Sequence, residues 1–182
     1  MNLPNLISLA RLLSVPLAVW MILEGRYTSA FWIFVVAGLS DAVDGMLAKY
    51  LDARSTLGKF LDPLADKALL VSVYVALGRI GEMDVWLVIL VVSRDVMIVG
   101  GVIVTLLSVM RAYAITPSYI SKANTAAQIL LAAAVLARLG LDIDSLGLET
   151  VLVYVVALTT LASGAWYLVA WYRQMAGMED AP

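Results

Sequence analysis

The chain has 182 residues, 63% hydrophobic and only 14% charged, with a mean hydropathy of +0.94, which excludes an ordinary water-soluble domain and predicts one embedded in a bilayer. A net charge of -2 and a pI near 5.0 provide no basic field, so nucleic acid is excluded as a partner. The absence of cysteine and histidine excludes disulfides, thiolate nucleophiles, imidazole bases and the usual zinc ligands, leaving carboxylates, hydroxyls, Lys and Arg, with a hard metal, for any catalysis.

A helix crossing the hydrocarbon core needs about 20 largely apolar residues. The apolar runs predict an all-α polytopic membrane protein of six transmembrane helices, forming a single domain over residues 1–182. The first helix is expected at 4–24. It is read as mature structure rather than a cleaved signal, because it lacks a basic leader and carries Pro4, Arg11 and Pro16. The second is expected at 28–51, the third at 59–80 and the fourth at 84–110. Residues 111–122, with Pro117 and Ser118, read as a turn or cap before the fifth helix at 119–139. The sixth is expected at 148–173.

With the amino terminus inside, Arg11, Lys49, Arg54, Lys59, Lys67, Arg111, Lys122 and Arg173 fall on the cytoplasmic side, and Arg26, Arg79 and Arg138 on the other. Arg11 and Lys67 weigh less if they face inward. The loop between the second and third helices is then cytoplasmic. The absence of a transit peptide ahead of the first helix points to the bacterial inner (plasma) membrane.

The segment SDAVDGMLAKYLDARSTLGKFLDPLADK, Ser40 to Lys67, places four carboxylates at the ends of two hydrophobic helices. Asp41 and Asp44 are three residues apart, and Asp62 and Asp66 four apart, so each pair shares one helical face. An antiparallel hairpin would bring the pairs together. Four carboxylates so close resist burial, so either some are protonated or cations sit between them. An oxygen-only donor set suits Mg²⁺ or Mn²⁺. Gly45 and Ala48 share the face of the first pair and Gly58 precedes Asp62 by four, which leaves a shelf with room for a nucleotide. Taken singly, each Asp could be a packing or ion-path residue, and Gly and Ala are normal contacts between membrane helices.

Arg94 and Asp95 lie deep in the fourth helix, beyond easy snorkelling, so they are expected to face a polar cavity or to form a buried structural pair. Lys122 and Asn124 at the start of the fifth helix either hold an anionic acceptor or act as interfacial anchor and cap. Trp86, Trp166, Tyr167, Trp171 and Tyr172 are read as interfacial belt and packing.

The pattern from Asp41 through Asp44, Gly45, Ala48, Gly58 and Asp62 to Asp66 resembles the signature of the CDP-alcohol phosphatidyltransferase family. The family has Arg where this chain has Lys49, which keeps the charge but loses the bidentate fork. The opening NLPNLISLARLLSVP is similar to the family's first helix and implies that Asn5, Ser8 and Arg11 lie near the nucleotide and its phosphates. The resemblance implies a CDP-diacylglycerol donor contacted by Asn5, Ser8, Arg11, Asp44, Gly45, Ala48, Lys49 and Gly58. It further implies two divalent ions at Asp41, Asp44 and Asp62 with Asp66 at the edge of the cluster, Asp66 as base toward the acceptor hydroxyl, and a homodimer. Three stretches, SRDVMI at 93–98, ISKANTAAQ at 120–128 and TTLASGAWY at 159–167, are most like cardiolipin synthases of the mitochondrial and related bacterial type. Phosphatidylglycerophosphate synthases, which use glycerol 3-phosphate, are the alternative within the family. Arg94, Lys122 and Asn124 are the acceptor-side candidates in both cases, because phosphatidylglycerol and glycerol 3-phosphate are both anionic.

The expected reaction is a direct displacement at phosphorus. No His or Cys is available for a covalent intermediate, and no Ser or Thr stands at the motif's centre. Two other classes compete. A small metal-ion transporter predicts carboxylates at mid-membrane and repeated halves with broken helices, whereas this chain gathers them at one interface with no matching motif in its second half. A structural membrane protein would tolerate Asp to Asn changes in the motif.

Overall fold

Long apolar runs alternate with short polar turns, and each run forms an α-helix. The computed structural model describes the backbone of residues 3–51, 58–107 and 119–179, and the side chains of 10–40, 67–100 and 119–172. Its helices are α1 (Leu3–Leu23), α2 (Tyr27–Leu51), α3 (Gly58–Arg79), α4 (Val85–Leu107), α5 (Tyr119–Leu141) and α6 (Leu148–Glu179). Among the described residues there is no strand. Every helix starts within one residue of its expected position; ahead of α2, α4 and α6 a short polar segment bounds the apolar run sharply. The sixth helix differs at its other end, running to Glu179 rather than stopping near Arg173. Hydropathy falls there, but Arg, Gln, Met, Ala and Glu all favour helix without being apolar enough for a lipid-facing segment. The expected turn at Pro117 and Ser118 lies outside the described residues.

Two helical segments among the described residues are long and apolar enough to cross a membrane, Tyr119–Leu141 and Leu148–Tyr172. The apolar stretches Ala10–Leu23 and Tyr27–Ser40 are shorter.

The helices pack as a closed ring in the order α1, α2, α5, α6, α4, α3, with α3 also touching α5 across the middle. That cross-contact includes a hydrogen bond from the Tyr74 hydroxyl to the Gln128 carbonyl at 3.0 Å. Ile22, Val73, Tyr74, Leu77, Leu87, Val91, Leu131, Leu136 and Val156 fill the interior. The exterior carries Leu13, Trp20, Leu39, Val96, Leu130 and Leu158, each more than half exposed, while Arg11, Arg94, Asp95, Asn124, Gln128, Thr160 and Ser163 are buried. Polar groups inside and large apolar groups outside reverse the usual soluble pattern.

Helix ends are closed by backbone geometry. At the end of α1, Gly25 N–H donates to the Ile22 carbonyl and Arg26 N–H to that of Met21; at the end of α3, Gly81 N–H donates to Gly78 and Glu82 N–H to Leu77. Both glycines are left-handed, with φ of 71° and 83°, as this type of helix cap requires. The α1–α2, α3–α4 and α5–α6 turns gather at one end of the bundle. There Arg138 donates to Glu149 at 2.9 Å and to Glu82 at 2.9 Å, and the Thr28 hydroxyl donates to the Gly140 carbonyl at 2.6 Å. An open cavity of about 340 Å³, lined in part by Glu82, Asp84 and Glu149, lies at this end, away from the Asp-bearing ends of α2 and α3.

Candidate active site

Asp41, Asp44, Gly45, Ala48 and Lys49 all fall within the helical backbone of α2, and Gly58, Asp62 and Asp66 within that of α3. Continuous helix at these positions gives the three- and four-residue spacings their same-face meaning. The side chains of these residues, and those of Asn5 and Ser8, lie outside the described residues. Arg11 is described and buried, with 4% of its surface exposed. Among the described side chains no group of three or more carboxylates could hold a metal. The chemistry of the motif's donor set, carboxylates in a chain without His or Cys, fits a hard divalent cation.

One residue beyond Asp66 a described network begins. Lys67 Nζ donates to both oxygens of Asp95 on α4, at 2.8 and 2.9 Å. Asp95 Oδ1 also accepts from Arg94 NH1 at 2.7 Å. Arg94 NH2 in turn donates to the Ser121 hydroxyl of α5 at 2.6 Å and the Ser163 hydroxyl of α6 at 2.5 Å. The ring of Tyr167 lies 5.8 Å from the guanidinium carbon, within range of a cation–π contact. A buried carboxylate between two cations meets the electrostatic condition for charge inside a low-dielectric bundle. Neighbouring residues on a helix do not normally face each other; the length of the Arg94 side chain lets it curl back onto Asp95.

Asn124 stands one helical turn past Ser121 and is fully buried. Its Oδ1 accepts from the Thr159 and Thr160 hydroxyls, each at 2.9 Å, so the amide bridges α5 to α6 rather than capping α5. Lys122 is exposed, with its ammonium 5.6 Å from the Tyr119 ring centroid. Arg94 Nε and Asn124 Nδ2 have no hydrogen-bond partner among the described residues. Arg94 and the start of α5 therefore come together through Ser121, while Lys122 points away from the buried network.

The three stretches at 93–98, 120–128 and 159–167 converge in space through Arg94 with Asp95, Ser121 with Asn124, and Thr159, Thr160, Ser163 and Tyr167. Sequence reasoning missed Lys67 as a member, although a signal was present. Lys67 and Asp95 are equidistant in sequence from Gly81 in the α3–α4 turn, which puts them at one level of an antiparallel hairpin.

The family model described as CDP-alcohol phosphatidyltransferase matches residues 1–166, which include the Asp segment, the stretches at 93–98 and 120–128, and the stretch at 159–167 up to Trp166. The chain belongs to the CDP-alcohol phosphatidyltransferase family, whose members use a CDP-alcohol donor and an alcohol acceptor and are generally dependent on divalent metal. It is 36% identical to CDP-diacylglycerol–glycerol-3-phosphate 3-phosphatidyltransferase 1, chloroplastic, of Oryza sativa subsp. japonica, over 96% of this chain and 58% of that protein. It is likewise 36% identical to the cardiolipin synthase (CMP-forming) of Homo sapiens, over 91% of this chain and 60% of that protein. A cardiolipin synthase (CMP-forming) / mitochondrial hydrolase fusion protein of Schizosaccharomyces pombe is 35% identical over 93% of this chain and 31% of its own length. The chain thus spans about 60% or less of each of these three relatives.

Proposed function

We propose that this chain is a phospholipid-synthesising phosphatidyltransferase that joins CDP-diacylglycerol to phosphatidylglycerol, forming cardiolipin and CMP. The observation that carries the phosphatidyltransferase reading is the family match across residues 1–166, with helical backbone at all four motif carboxylates; phosphatidylglycerol as acceptor is supported by the 36% identity to the human cardiolipin synthase. The apolar exterior, buried polar interior and two membrane-length helices support a single multi-pass domain of six spans. Its amino terminus and Asp motif face the cytoplasm of a bacterial inner membrane, and it works as a homodimer. Family membership leaves the ion-transporter and purely structural readings without support.

Asp41, Asp44, Asp62 and Asp66 would hold two ions, Mg²⁺ or Mn²⁺, which supply neutralisation of the charge that grows on the diphosphate. Asn5, Ser8 and Arg11 of α1 and Lys49 of α2 orient the CDP group, and Asp44, Gly45, Ala48 and Gly58 form the shelf on which it lies. Asp66 takes the proton of the acceptor hydroxyl. The freed oxygen forms a bond to the phosphorus bearing diacylglycerol as the bond from that phosphorus to the CMP oxygen breaks, and CMP carries away the electron pair. On the acceptor side, Lys122 offers an exposed cation, and Arg94 Nε and Asn124 Nδ2 are buried donors available to an anionic oxygen.

A second reading takes glycerol 3-phosphate as the acceptor. It is favoured by the rice relative, which aligns with 96% of this chain. The test is an assay in mixed micelles containing CDP-diacylglycerol, Mg²⁺ or Mn²⁺, and either acceptor, following CMP and lipid product, with Asp66→Asn as control. Cardiolipin made only from phosphatidylglycerol supports the first reading. Product made only from glycerol 3-phosphate selects the second, and no CMP with any alcohol sinks both.

A further inference from the structure

We propose that Asp95 is a positioning residue: by gripping Lys67 across the α3–α4 contact, it fixes the turn of α3 that carries Asp66. This rests on the reading of Asp66 as the base that receives the acceptor proton.

Asp95 is 4% exposed and both its oxygens are engaged by Lys67, at 2.8 and 2.9 Å. A two-pronged contact of this kind restricts sliding and rotation together, because either motion lengthens one of the two hydrogen bonds. Below this level, toward the α3–α4 turn, the two helices meet through apolar groups, among them Val73, Leu77, Leu87 and Val91, whose packing is non-directional. Those contacts hold the helices together, and the Lys67–Asp95 pair adds a directional constraint to them. Lys67 directly follows Asp66 in the chain, so the turn that the ion pair fixes is the one that presents the proposed base.

Asp95 also has a second hold. Its Oδ1 accepts from Arg94 NH1 at 2.7 Å, and Arg94 reaches Ser121 on α5 and Ser163 on α6. The helix bearing the base is thereby referenced to α5, which carries Lys122 and Asn124 of the proposed acceptor side, and to α6. A base and an acceptor hydroxyl must meet within hydrogen-bond range, and a misplacement of about 1 Å can cost roughly 100-fold in rate. The network supplies a covalently short path for that alignment: Asp66 to Lys67, then Asp95, Arg94 and Ser121.

The experiment compares the wild-type chain with Lys67→Met, Asp95→Asn and the double variant, measuring kcat, KM for CDP-diacylglycerol and thermal unfolding in detergent. Lys67→Met leaves Asp95 paired with Arg94, so the bundle is expected to remain folded. A kcat loss of roughly 10- to 100-fold is expected in each single variant, with KM within about threefold. Because both act through one pair, the double variant is expected to be no slower than the worse single variant, whereas independent roles would multiply. Asp95→Glu, which keeps the charge, is expected to recover part of the loss seen in Asp95→Asn.

Wild-type kcat in Lys67→Met overturns the proposal whatever the other variants do. So does a kcat loss in Lys67→Met that Asp95→Asn does not share, or a multiplicative loss in the double variant. If Asp95→Asn fails to fold, Lys67→Met alone still decides. A wild-type chain that releases no CMP with any alcohol rejects the transferase reading instead, and active wild type with inactive Asp66→Asn keeps that reading while these variants judge the positioning role.

Discussion

A carboxylate earns a catalytic assignment through what it does to a proton or a cation, and that can be separated by substitution. Asp66→Asn keeps the size of the side chain and removes its basicity, so kcat is expected to fall by roughly 10²- to 10⁴-fold, the range for a positioned general base. CMP release at saturating metal measures it. Asp41→Asn and Asp44→Asn are expected instead to raise the concentration of Mg²⁺ or Mn²⁺ needed for half-maximal rate, read from a metal titration. Asn124 has a different kind of role. Its Oδ1 is shared between Thr159 and Thr160, and an interhelical hydrogen bond between membrane helices contributes about 0.6 kcal/mol on average. Asn124→Leu is therefore expected to lower the unfolding temperature modestly in a detergent melt, while Thr159 keeps its 2.7 Å bond to the Val155 carbonyl.

Between elements, backbone meets backbone closely where the end of α5 reaches the start of α2. A Cβ added at Gly140 would lie 2.6 Å from the Thr28 backbone nitrogen and 2.7 Å from the Tyr27 carbonyl carbon. Backbone cannot swing aside as a side chain can, so Gly140→Ala is expected to force α2 and α5 apart at a cost of about 1–3 kcal/mol. A thermal melt checks it, and an unshifted transition would contradict a tight contact there. The same end carries Arg138 between Glu82 and Glu149. These groups are about one-third exposed or less, so the pairs tie the turns together with a strength that salt screens.

For the molecule as a whole, the family is generally dependent on divalent metal, and the proposed donor set would make activity conditional on such a cation. Chelation with EDTA is expected to abolish CMP release, and Mg²⁺ or Mn²⁺ to restore it without refolding; activity that survives chelation would contradict the metal assignment. The order of the helix ring explains why stretches far apart in sequence share one neighbourhood. With α6 between α4 and α5, Ser163 comes within reach of Arg94 and Thr160 within reach of Asn124.

Much of this was legible in the amino-acid order, and the limits have physical causes. Helix starts followed from the contrast between polar turns and apolar runs, which is local information. The end of α6 was misjudged because helix propensity continues past Arg173 after hydropathy has fallen. The Asp motif was visible because the spacing within each of its pairs is short enough to be read along one helix. The buried Arg94–Asp95 pair was one of two anticipated outcomes for those residues, and the structure shows the pair. Of the two expectations for Asn124, holding an acceptor or capping α5, the cap gives way to a bridge, because its Oδ1 accepts from Thr159 and Thr160 of α6.

Composition, periodicity and motif spacing, all carried by the chain itself, determined that this is an all-α protein with an apolar exterior, that its candidate site residues are carboxylates, and which family its signature resembles. Tertiary structure alone decided that Lys67 faces Asp95, that Arg94 ends on Ser121 and Ser163, and that Asn124 joins α5 to α6. Those partners lie on different helices, so their meeting depends on packing order and rotation about each axis, and buried charge in a low-dielectric interior accepts only the arrangement that pairs it.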